Sequence, residues 1–352
     1  MTPTAELAPG ASRQTPAPPP GTAIARAPRE RTGSWPLVDR IAYALCWTVG
    51  IGLCLIALGI VLFMLVKGVA YLHPKLFVES PAPSPKESQS GGFLDPIIGT
   101  LIVAGVGIAI AAPIGVALGT WLAEYGRPSW LARAVESAIE IIAGAPSVVL
   151  ALFGLVIFAQ GYLGFLSQTA AGGGVYGRSF FAAGAVMAVL ALPLIVASTR
   201  EALTRLPDRL REASFALGRT PATTVRRVLL PAIRPDIATG TVLGLGRIIG
   251  DTAIINILLG TYLTLEKVGN VPVIGTLRGT GSTLTSYIYS NSPAGEGNAP
   301  HKAYAAAFVL LVIVLILNGI VTWLTNRGGR PEGGGLSRAF RLIQYTSRLN
   351  WR

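Results

Sequence analysis

Arg247 is the only basic residue inside a predicted membrane span of this 352-residue chain, and Asp251 follows it four positions later. The apolar run that contains Arg247 begins at Ile237, so the arginine lies about ten residues, or about 15 Å, into the span. That depth is near the middle of a hydrocarbon core of about 30 Å, where charged groups are costly and usually face a cavity or each other. Asp251 is predicted to lie one turn beyond Arg247 on the same face, and Thr252 and Asn256 extend this polar side.

Two interpretations of this pair follow from its chemistry. In the first, Arg247 and Asp251 neutralise each other and lock the packing of the helix. In the second, Arg247 binds an anionic substrate, because a guanidinium presents a fork of N–H donors that matches the oxygens of a phosphate. Asp251 would then hold Arg247 in place or exclude the wrong ion. The predicted substrate path includes Arg247, Asp251 and Thr252.

Glycine spacing in the same span suggests packing rather than nucleotide binding. The segment from Gly244 to Gly250 is close to a dinucleotide-binding fingerprint, but it has one residue too many and lies within a membrane span. The spacings Gly240-x-x-x-Gly244 and Gly246-x-x-x-Gly250 instead predict faces that pack closely against another helix. The sequence contains no Gly-Lys-Ser or Gly-Lys-Thr phosphate loop, so we expect no ATP site of that kind on this chain.

The histidines and cysteines do not have the spacing of a metal or redox site. His73 and His301 lie in loops without a partner ligand at a suitable distance along the chain. Cys46 and Cys54 lie eight positions apart in one apolar run and are interpreted as packing residues. We therefore predict no catalytic residue, no metal site and no cofactor on this chain.

A polar stretch between two apolar spans, residues 200–236, carries eight arginines and four acidic residues. Pro207 suits the first turn of a helix and Gly218 the position just past its end, whereas Thr220 can cap a second helix that stops at Pro231. The pattern predicts a helix–glycine–helix hairpin that is too polar to span a bilayer. Periodicity predicts one apolar face on each helix, formed by Leu210, Ala213 and Leu217 on the first and by Val225, Val228 and Leu229 on the second.

The composition excludes a soluble domain of this size, because 51% of the residues are hydrophobic and only 13% are charged. Apolar runs of about 20 residues can cross the hydrocarbon core. The third of the predicted runs is interrupted by Gly144-Ala145-Pro146, and a long polar loop, residues 263–302, precedes the last. The predicted fold class is an all-α polytopic membrane protein with six transmembrane helices, at residues 41–66, 97–118, 138–158, 181–196, 237–260 and 303–324.

Four parts make up the predicted domain organisation. Residues 1–38 form a disordered basic cytosolic tail, and residues 39–93 form the first transmembrane helix with an extracytoplasmic loop. Residues 94–325 form the transmembrane domain that contains the hairpin, and residues 326–352 form a basic cytosolic tail.

Lysine and arginine are distributed unevenly between the two sides of the predicted spans. Of the 29 such residues, 21 lie on the side of the N-terminus and the hairpin, and seven lie on the opposite side. Because short cytoplasmic loops are enriched in Lys and Arg, both termini and the hairpin are predicted to be cytosolic, in a plasma membrane. This topology accounts for the net charge of +12, so we predict membrane lipid rather than nucleic acid as a partner. Glu136 and Glu140 are interpreted mainly as interface or inter-subunit contacts.

The hairpin sequence resembles the EAA loop of ABC-importer membrane subunits. That pattern reads E-A-A, three residues, G, nine residues, I-x-L-P, and the spacing here fits throughout, with a serine for the second alanine and a valine for the isoleucine. In that family the loop is cytoplasmic and docks into a groove on the ATP-hydrolysing subunit. The resemblance therefore implies a set of ATPase-docking residues: Glu212, Ala213, Ser214, Gly218, Val228, Leu230 and Pro231.

Further motifs over residues 91–325 are similar to the PstA-type permeases of phosphate importers. These motifs include the run IAGAPSVVLALFG at 142–154, ALPLI at 191–195 followed by TREAL at 199–203, and RIIGDTA at 247–253. The resemblance implies a type I ABC-importer permease fold with six transmembrane helices and a coupling hairpin. Asp251 replaces the usual Glu of the family, and Ile254 stands where the family commonly has Pro, which predicts a less kinked helix.

The same resemblance implies the partners. They are a related second permease of the PstC type, a dimer of PstB-type ATPase subunits that binds ATP and Mg, an extracytoplasmic PstS-type phosphate-binding protein, and inorganic phosphate. One alternative is a permease for another oxyanion such as sulfate or molybdate, against which the run at 247–253 argues. The other is an ion-gradient-driven carrier or channel, which would not need the hairpin.

Overall fold

A computed structural model of the chain describes residues 37–82, 91–126, 129–160, 162–168, 175–260, 265, 272–293, 295 and 299–327. The predicted N-terminal tail up to residue 36, the C-terminal tail from residue 328 and part of the predicted 263–302 loop lie outside these residues. Regular secondary structure within the described ranges is helical, with an isolated bridge between Pro81 and Gly91.

Thirteen α-helices are described in chain order. They are α1 (Leu37–Ala70), α2 (Leu94–Glu124), α3 (Trp130–Gly144), α4 (Ser147–Ala159), α5 (Phe180–Arg205), α6 (Asp208–Ala216), α7 (Pro221–Thr224), α8 (Leu230–Ala232), α9 (Arg234–Gly250), α10 (Thr252–Leu258), α11 (Pro272–Arg278), α12 (Leu284–Asn291) and α13 (Pro300–Arg327). Short 3-10 turns occupy Pro74–Phe77 and Gly164–Leu166, and a π-helical turn, Val225–Leu229, joins α7 to α8.

Four described helices are long and apolar enough to cross a membrane by themselves, namely α1, α2, α5 and α13. They correspond to the first, second, fourth and sixth predicted spans. The number rises to six only if each of two bent pairs is counted as one span. Length and composition therefore support between four and six crossings, but the second bent pair joins Pro221–Ala232 of the hairpin to α9 and differs from the predicted fifth span at residues 237–260.

The third predicted span is not one continuous helix. It divides into α3 and α4, which meet at an angle of 109°. Ala145 and Pro146 at the junction are both extended, with ψ values of 136° and 134°. Because a residue before proline is disfavoured in helical backbone, the sequence explains where the helix stops. The size of the bend was not predicted.

The fifth predicted span is also interrupted. Helix α9 ends at Gly250, and Asp251 adopts an extended conformation with φ −87° and ψ 113° before α10 begins. Ile254 in place of a proline was expected to leave this helix less kinked, yet the helix is interrupted three residues before it. The break depends on Asp251, which caps the new helix, and not on a proline at position 254.

Helices α2, α5 and α9 form the centre of the described fold, and small residues allow them to approach closely. A Cβ atom at Gly240 of α9 would lie 2.7 Å from Cβ of Ser198 in α5, and one at Gly107 of α2 would lie 2.9 Å from Ile248. The hydroxyl of Ser198 also donates a hydrogen bond of 2.7 Å to the carbonyl of Asp236 at the start of α9. These contacts fix α9 against α5 without space for larger side chains.

The chain divides into two compact units, Met1–Ile60 and Val61–Arg352. In the first, the described part of α1 exposes apolar side chains such as Tyr43 and Trp47. In the second, Gly68 near the end of α1 packs against α13, since a Cβ atom there would lie 2.5 Å from Cβ of Phe308.

The loop predicted at residues 263–302 contains two packed helices in its described part. Leu284 and Tyr287 of α12 are buried, and the backbone N–H of Leu284 donates to Thr100 Oγ1 of α2 at 2.9 Å. Lys302 Nζ donates to the carbonyl of Gly91 at 2.7 Å. The description of this segment as a polar loop is therefore wrong for α11 and α12, because tertiary contacts order a segment with little local apolar periodicity.

Candidate functional site

Arg247 lies on an exposed stripe of α9. The stripe repeats at helical spacing and faces away from α5, whereas the buried residues Gly240 and Gly244 face α5. It consists of Thr239, Leu243, Gly246, Arg247 and Gly250. The glycines on both sides of the arginine leave its side chain accessible within the described part of the chain.

The two predicted glycine faces of α9 have different surroundings. Gly240 and Gly244 contact Ser198 and Ile195 of α5, which confirms that this pair forms a close-packing face. No described atom lies within 4 Å of a Cβ position at Gly246 or Gly250. The second pair therefore flanks Arg247 on an open surface rather than packing against a helix of the described chain.

Asp251 ends α9 and begins α10. Its carboxylate Oδ1 accepts the backbone N–H of Ile254 at 3.0 Å and caps α10. No salt bridge joins Arg247 to Asp251 within the described residues. Asp251 follows the last residue of α9, four positions after Arg247, and the chain leaves the helical direction only beyond it. The ion pair that the first interpretation requires, between Arg247 and Asp251, is therefore not formed among the described residues.

Helix α12 holds the break between α9 and α10 in place. Thr285 Oγ1 donates to the carbonyl of Ile249 at 2.8 Å, which satisfies an acceptor at the end of α9. Ser286 Oγ donates to Asn256 Oδ1 at 2.7 Å. Asn256 therefore braces α10 instead of extending a polar side of α9, and Thr252 lies half-buried at the start of α10.

The predicted helix–glycine–helix hairpin is confirmed. Helix α6 ends at Ala216, and Gly218 has φ +72°, a conformation that is accessible to glycine at little cost. Its backbone N–H donates to the carbonyl of Phe215 at 2.8 Å. Thr220 then caps α7 by accepting the N–H of Thr223 at 3.4 Å. The predicted stop at Pro231 is wrong, because this proline lies in the first turn of α8, where its missing N–H costs no hydrogen bond. The second arm continues through the π-helical turn and α8 to Ile233, where the chain bends by 70° into α9.

The structure divides the seven predicted ATPase-docking residues into three groups by exposure. Glu212, Ala213 and Gly218 are exposed and accessible to a partner. Ser214 is buried, and its Oγ lies 2.8 Å from Thr224 Oγ1, so it ties the two arms of the hairpin together. The three others are half-buried against the membrane helices: Val228, Leu230 and Pro231.

The two predicted apolar faces of the hairpin also differ in exposure. The face on α6 is open to a partner, with Leu210 39% and Leu217 77% exposed, and Phe215 beside it is 48% exposed. The face on the second arm turns inward, where Val225 and Leu229 join a cluster with Leu203 of α5. The hairpin therefore offers its first helix outward and anchors itself with its second arm.

An ion pair between the hairpin and α2 was not found from the sequence. Arg211 of α6 makes a two-pronged contact with Glu124, the last residue of α2, with Nη2–Oε1 at 2.7 Å and Nε–Oε2 at 3.2 Å. The hydrogen bonding of the Arg211 guanidinium to the carboxylate of Glu124 is the main cause that raises the pKa of Arg211. The residues lie 87 positions apart, and no sequence motif links them.

Two further residues singled out from the sequence have contacts within the chain. Glu136 of α3 forms an ion pair of 2.6 Å with Arg200 of α5, so its carboxylate serves an intramolecular contact, and Glu140 is exposed. His301 stacks on Tyr71 at a ring distance of 4.2 Å. Within the described residues, no group of three or more His, Cys, Asp or Glu side chains is arranged to hold a metal ion.

Comparison with known proteins gives a consistent result. A family model described as "Binding-protein-dependent transport system inner membrane component" matches residues 115–328. The phosphate transport system permease protein PstA of Haemophilus influenzae is 32% identical over 265 residues, which cover 73% of this chain and 83% of that protein. The permease protein PstC of the same organism is 33% identical over 253 residues, covering 67% and 77%.

The fold of the chain is similar to that of a solved ABC-transporter chain. A chain of a bacterial alginate ABC transporter, solved in complex with an alginate pentasaccharide-bound periplasmic protein, aligns with a TM-score of 0.56 and 18% identity. The alignment covers 83% of this chain and 96% of the transporter chain. The alignment therefore extends over nearly the whole of that chain.

Proposed function

The chain belongs to the family of binding-protein-dependent transport system inner membrane components and is a permease of an ABC importer, and we propose that its substrate is inorganic phosphate. Relatives named for phosphate transport support this proposal. The observation that carries it is the exposed Arg247 on α9, which has no salt bridge to Asp251 among the described residues. An anion that crosses the bilayer needs a compensating charge, because an unpaired anion in an apolar medium is very costly.

In the proposed path, Arg247 binds phosphate oxygens while Gly246 and Gly250 leave space for the ion beside it. Asp251 lies at the break between α9 and α10 and places a negative charge near the path, where it contributes to the choice of ion. Thr252 supplies a hydroxyl at the same level. In this proposal the three residues form one half of the substrate site. Another subunit completes the site on the exposed side of α9.

A second, related permease is the proposed neighbour on that open side. Relatives named PstA and PstC match this chain at similar identity, so identity alone does not distinguish the two types. We assign the PstA role to this chain on the motifs at residues 142–154 and 247–253, and the PstC role to the partner. A phosphate-binding protein of the PstS type would deliver the ion from the extracytoplasmic side.

The proposed contact with a PstB-type ATPase is the outer surface of α6. This surface combines exposed apolar residues with charge, as expected of an amphipathic helix that lies in a groove of its partner. The exposed members of the predicted docking set, Glu212, Ala213 and Gly218, contact the ATPase directly in this proposal. Ser214 and the half-buried residues Val228, Leu230 and Pro231 hold the hairpin in position. ATP and Mg bind to the ATPase and not to this chain.

Transport by the complete complex tests the proposal. The two permeases and the ATPase dimer are reconstituted in liposomes, and uptake of radiolabelled phosphate is measured with the phosphate-binding protein and ATP. We expect uptake that requires ATP and exceeds the uptake of sulfate and molybdate. Preferential uptake of sulfate or molybdate would indicate a permease for another oxyanion, and uptake driven by an ion gradient without ATP would indicate a carrier.

A further inference from the structure

The joint between α5 and α6 is not held by helical hydrogen bonds. Helix α5 ends at Arg205, and Leu206 and Pro207 are both extended, with ψ values of 135° and 137°. Proline cannot donate a backbone hydrogen bond, so the main chain alone leaves the direction of α6 weakly determined. Side-chain contacts across the joint must fix it.

Arg211 spans this joint. Its Nη2 donates to the carbonyl of Leu203 at 3.0 Å, and its Nη1 donates to the carbonyl of Leu206 at 3.2 Å. These carbonyls lie at the C-terminal end of α5, where helical acceptors lack partners within the helix. The same guanidinium holds Glu124 of α2 and, at 3.1 Å, Asp208 at the start of α6. One side chain therefore connects α2, α5 and α6.

The Arg211–Glu124 bridge is the most enclosed ion pair among the described residues. The side chains of Arg211 and Glu124 are 20% and 14% exposed, whereas those of Arg205 and Glu201, an ion pair on the last turn of α5, are 66% and 64% exposed. Exposed pairs contribute little to structure, but an enclosed pair with two-pronged geometry holds a defined orientation. The exposed pair on α5 is therefore a matched control.

The bridge connects α6 to α2, which packs closely against α5 in the membrane domain. Helix α2 packs along α5 through Gly115 and Gly119, where a Cβ atom would lie 2.8 Å from Ile195 and 2.9 Å from Thr199. The bridge to Glu124 therefore couples a displacement of α6 to the end of the closely packed helices α2 and α5. The second arm of the hairpin is attached separately, through its inward apolar face.

We propose that Arg211 and Glu124 form a latch that makes α6 rigid with α2 and α5, so that displacement of α6 moves the membrane helices. Without the latch, α6 keeps only its contact with the second arm through Ser214 and Thr224. It then turns about Leu206 and Pro207, and part of the motion of a bound partner is absorbed at the joint. Arg211 is a positioning residue and does not contact substrate. The transport part of this inference rests on the proposed docking of an ATPase on α6.

A distance measurement tests the latch without reference to substrate. Cys46 and Cys54 are replaced by serine, and spin labels are placed at the exposed positions Leu217 near α6 and Ala109 on α2, about 22 Å along α2 from Glu124. The assembled complex is measured in lipid nanodiscs. We expect a narrow distribution of distances with the native pair and a broad one in Arg211→Gln/Glu124→Gln. This double variant leaves no buried charge unpaired, so the complex is expected to assemble.

Transport by the same variants tests the consequence. Phosphate taken up per ATP hydrolysed is expected to fall on the order of tenfold in the double variant, while the amount of bound ATPase stays at the native level. Arg211→Lys keeps the charge without the fork and is expected to give an intermediate value. The control Arg205→Gln/Glu201→Gln is expected to match the native complex in both measurements.

The outcomes separate the two proposals. A distance distribution as narrow as the native one in the double variant, or uptake per ATP that stays native while the distribution broadens, would overturn the latch. If the native complex transports no phosphate, the proposed substrate is wrong, and the distance distributions alone then decide whether the latch exists.

Discussion

The carboxylate of Asp251 accepts the backbone N–H of Ile254 at 3.0 Å and so forms the N-cap of α10. This contact gives the aspartate a structural partner other than Arg247, which lies exposed on the preceding helix. The two interpretations of the pair are thereby separated: the carboxylate has a backbone partner, and the guanidinium is accessible to a ligand. Variants of either residue should consequently behave differently.

Replacement of Arg247 by glutamine should abolish phosphate uptake without loss of the complex. Glutamine keeps much of the bulk and some hydrogen-bond donors but removes the charge that offsets the anion. Radiolabelled phosphate uptake, normalised to the complex recovered from the membrane, measures the effect. Arg133→Gln, at an exposed arginine of α3, is the control. Near-native uptake by well-assembled Arg247→Gln would remove Arg247 from the path.

Asp251→Asn should assemble normally but alter the rate of transport or the choice between phosphate and sulfate. Asparagine is as good an N-cap as aspartate, so α10 should keep its start, whereas the negative charge near Arg247 is lost. Asp251→Ala also removes the cap and should lower stability by about 1 kcal/mol. Thermal unfolding of the purified complex and competitive uptake distinguish the two variants. Equal loss of complex in Asp251→Asn and Arg247→Gln would instead favour a structural lock.

Gly218→Val should weaken binding of the ATPase while the membrane helices stay inserted. The φ of +72° is strained for a β-branched residue, at a cost of roughly 1–2 kcal/mol or more, and the turn between α6 and α7 must shift. Gly218→Asn is the control, because asparagine tolerates this conformation better. Co-purification of the ATPase and phosphate uptake are the measurements. Full binding and uptake in the valine variant would contradict a coupling role for this turn.

Gly240→Ala should destabilise the chain, whereas Gly246→Ala should not. A methyl group at Gly240 would meet Ser198 at 2.7 Å and force α9 away from α5, which costs about 1–3 kcal/mol. Gly246 has no described atom within 4 Å of its Cβ position. The melting temperature in detergent compares the two variants. Equal stability of both would show that α9 packs against α5 more loosely than described.

A reporter enzyme that is active only outside the cytosol should stay silent when fused after Arg352. Six crossings with a cytosolic N-terminus, as the 21-to-7 distribution of Lys and Arg predicts, return the C-terminus to the cytosol. The bent pair α3 and α4 must then cross the membrane as one span. A reporter that is active only in the cytosol, fused at the same position, is the positive control. Strong activity of the first reporter would rule out six crossings with a cytosolic N-terminus.

Local features of the fold were predictable because their causes lie within a few residues. Apolar length determined α1, α2, α5 and α13 as membrane-spanning helices. Gly218 predicted a left-handed turn, because few other residues adopt a positive φ without a steric cost. The junction at Ala145 and Pro146 was likewise visible as an interruption, although its angle of 109° was not.

Contacts between distant parts of the chain were decided only by the tertiary structure. The sequence placed Ser214 and Val228 on a docking surface, but Ser214 turns inward to Thr224 and Val228 packs half-buried, because neighbouring helices occupy one side of the hairpin.

The break at Asp251 and the bridge from Arg211 to Glu124 have the same origin. The break is braced from α12 by Thr285, 36 residues after its acceptor Ile249, and the bridge joins residues 87 positions apart. Helical periodicity reports which face of a helix is apolar, but it carries no information about which distant side chain will meet that face. The sequence thus determined the membrane helices, the hairpin and the family, whereas packing decided which charged residues are paired and which are left open to a ligand.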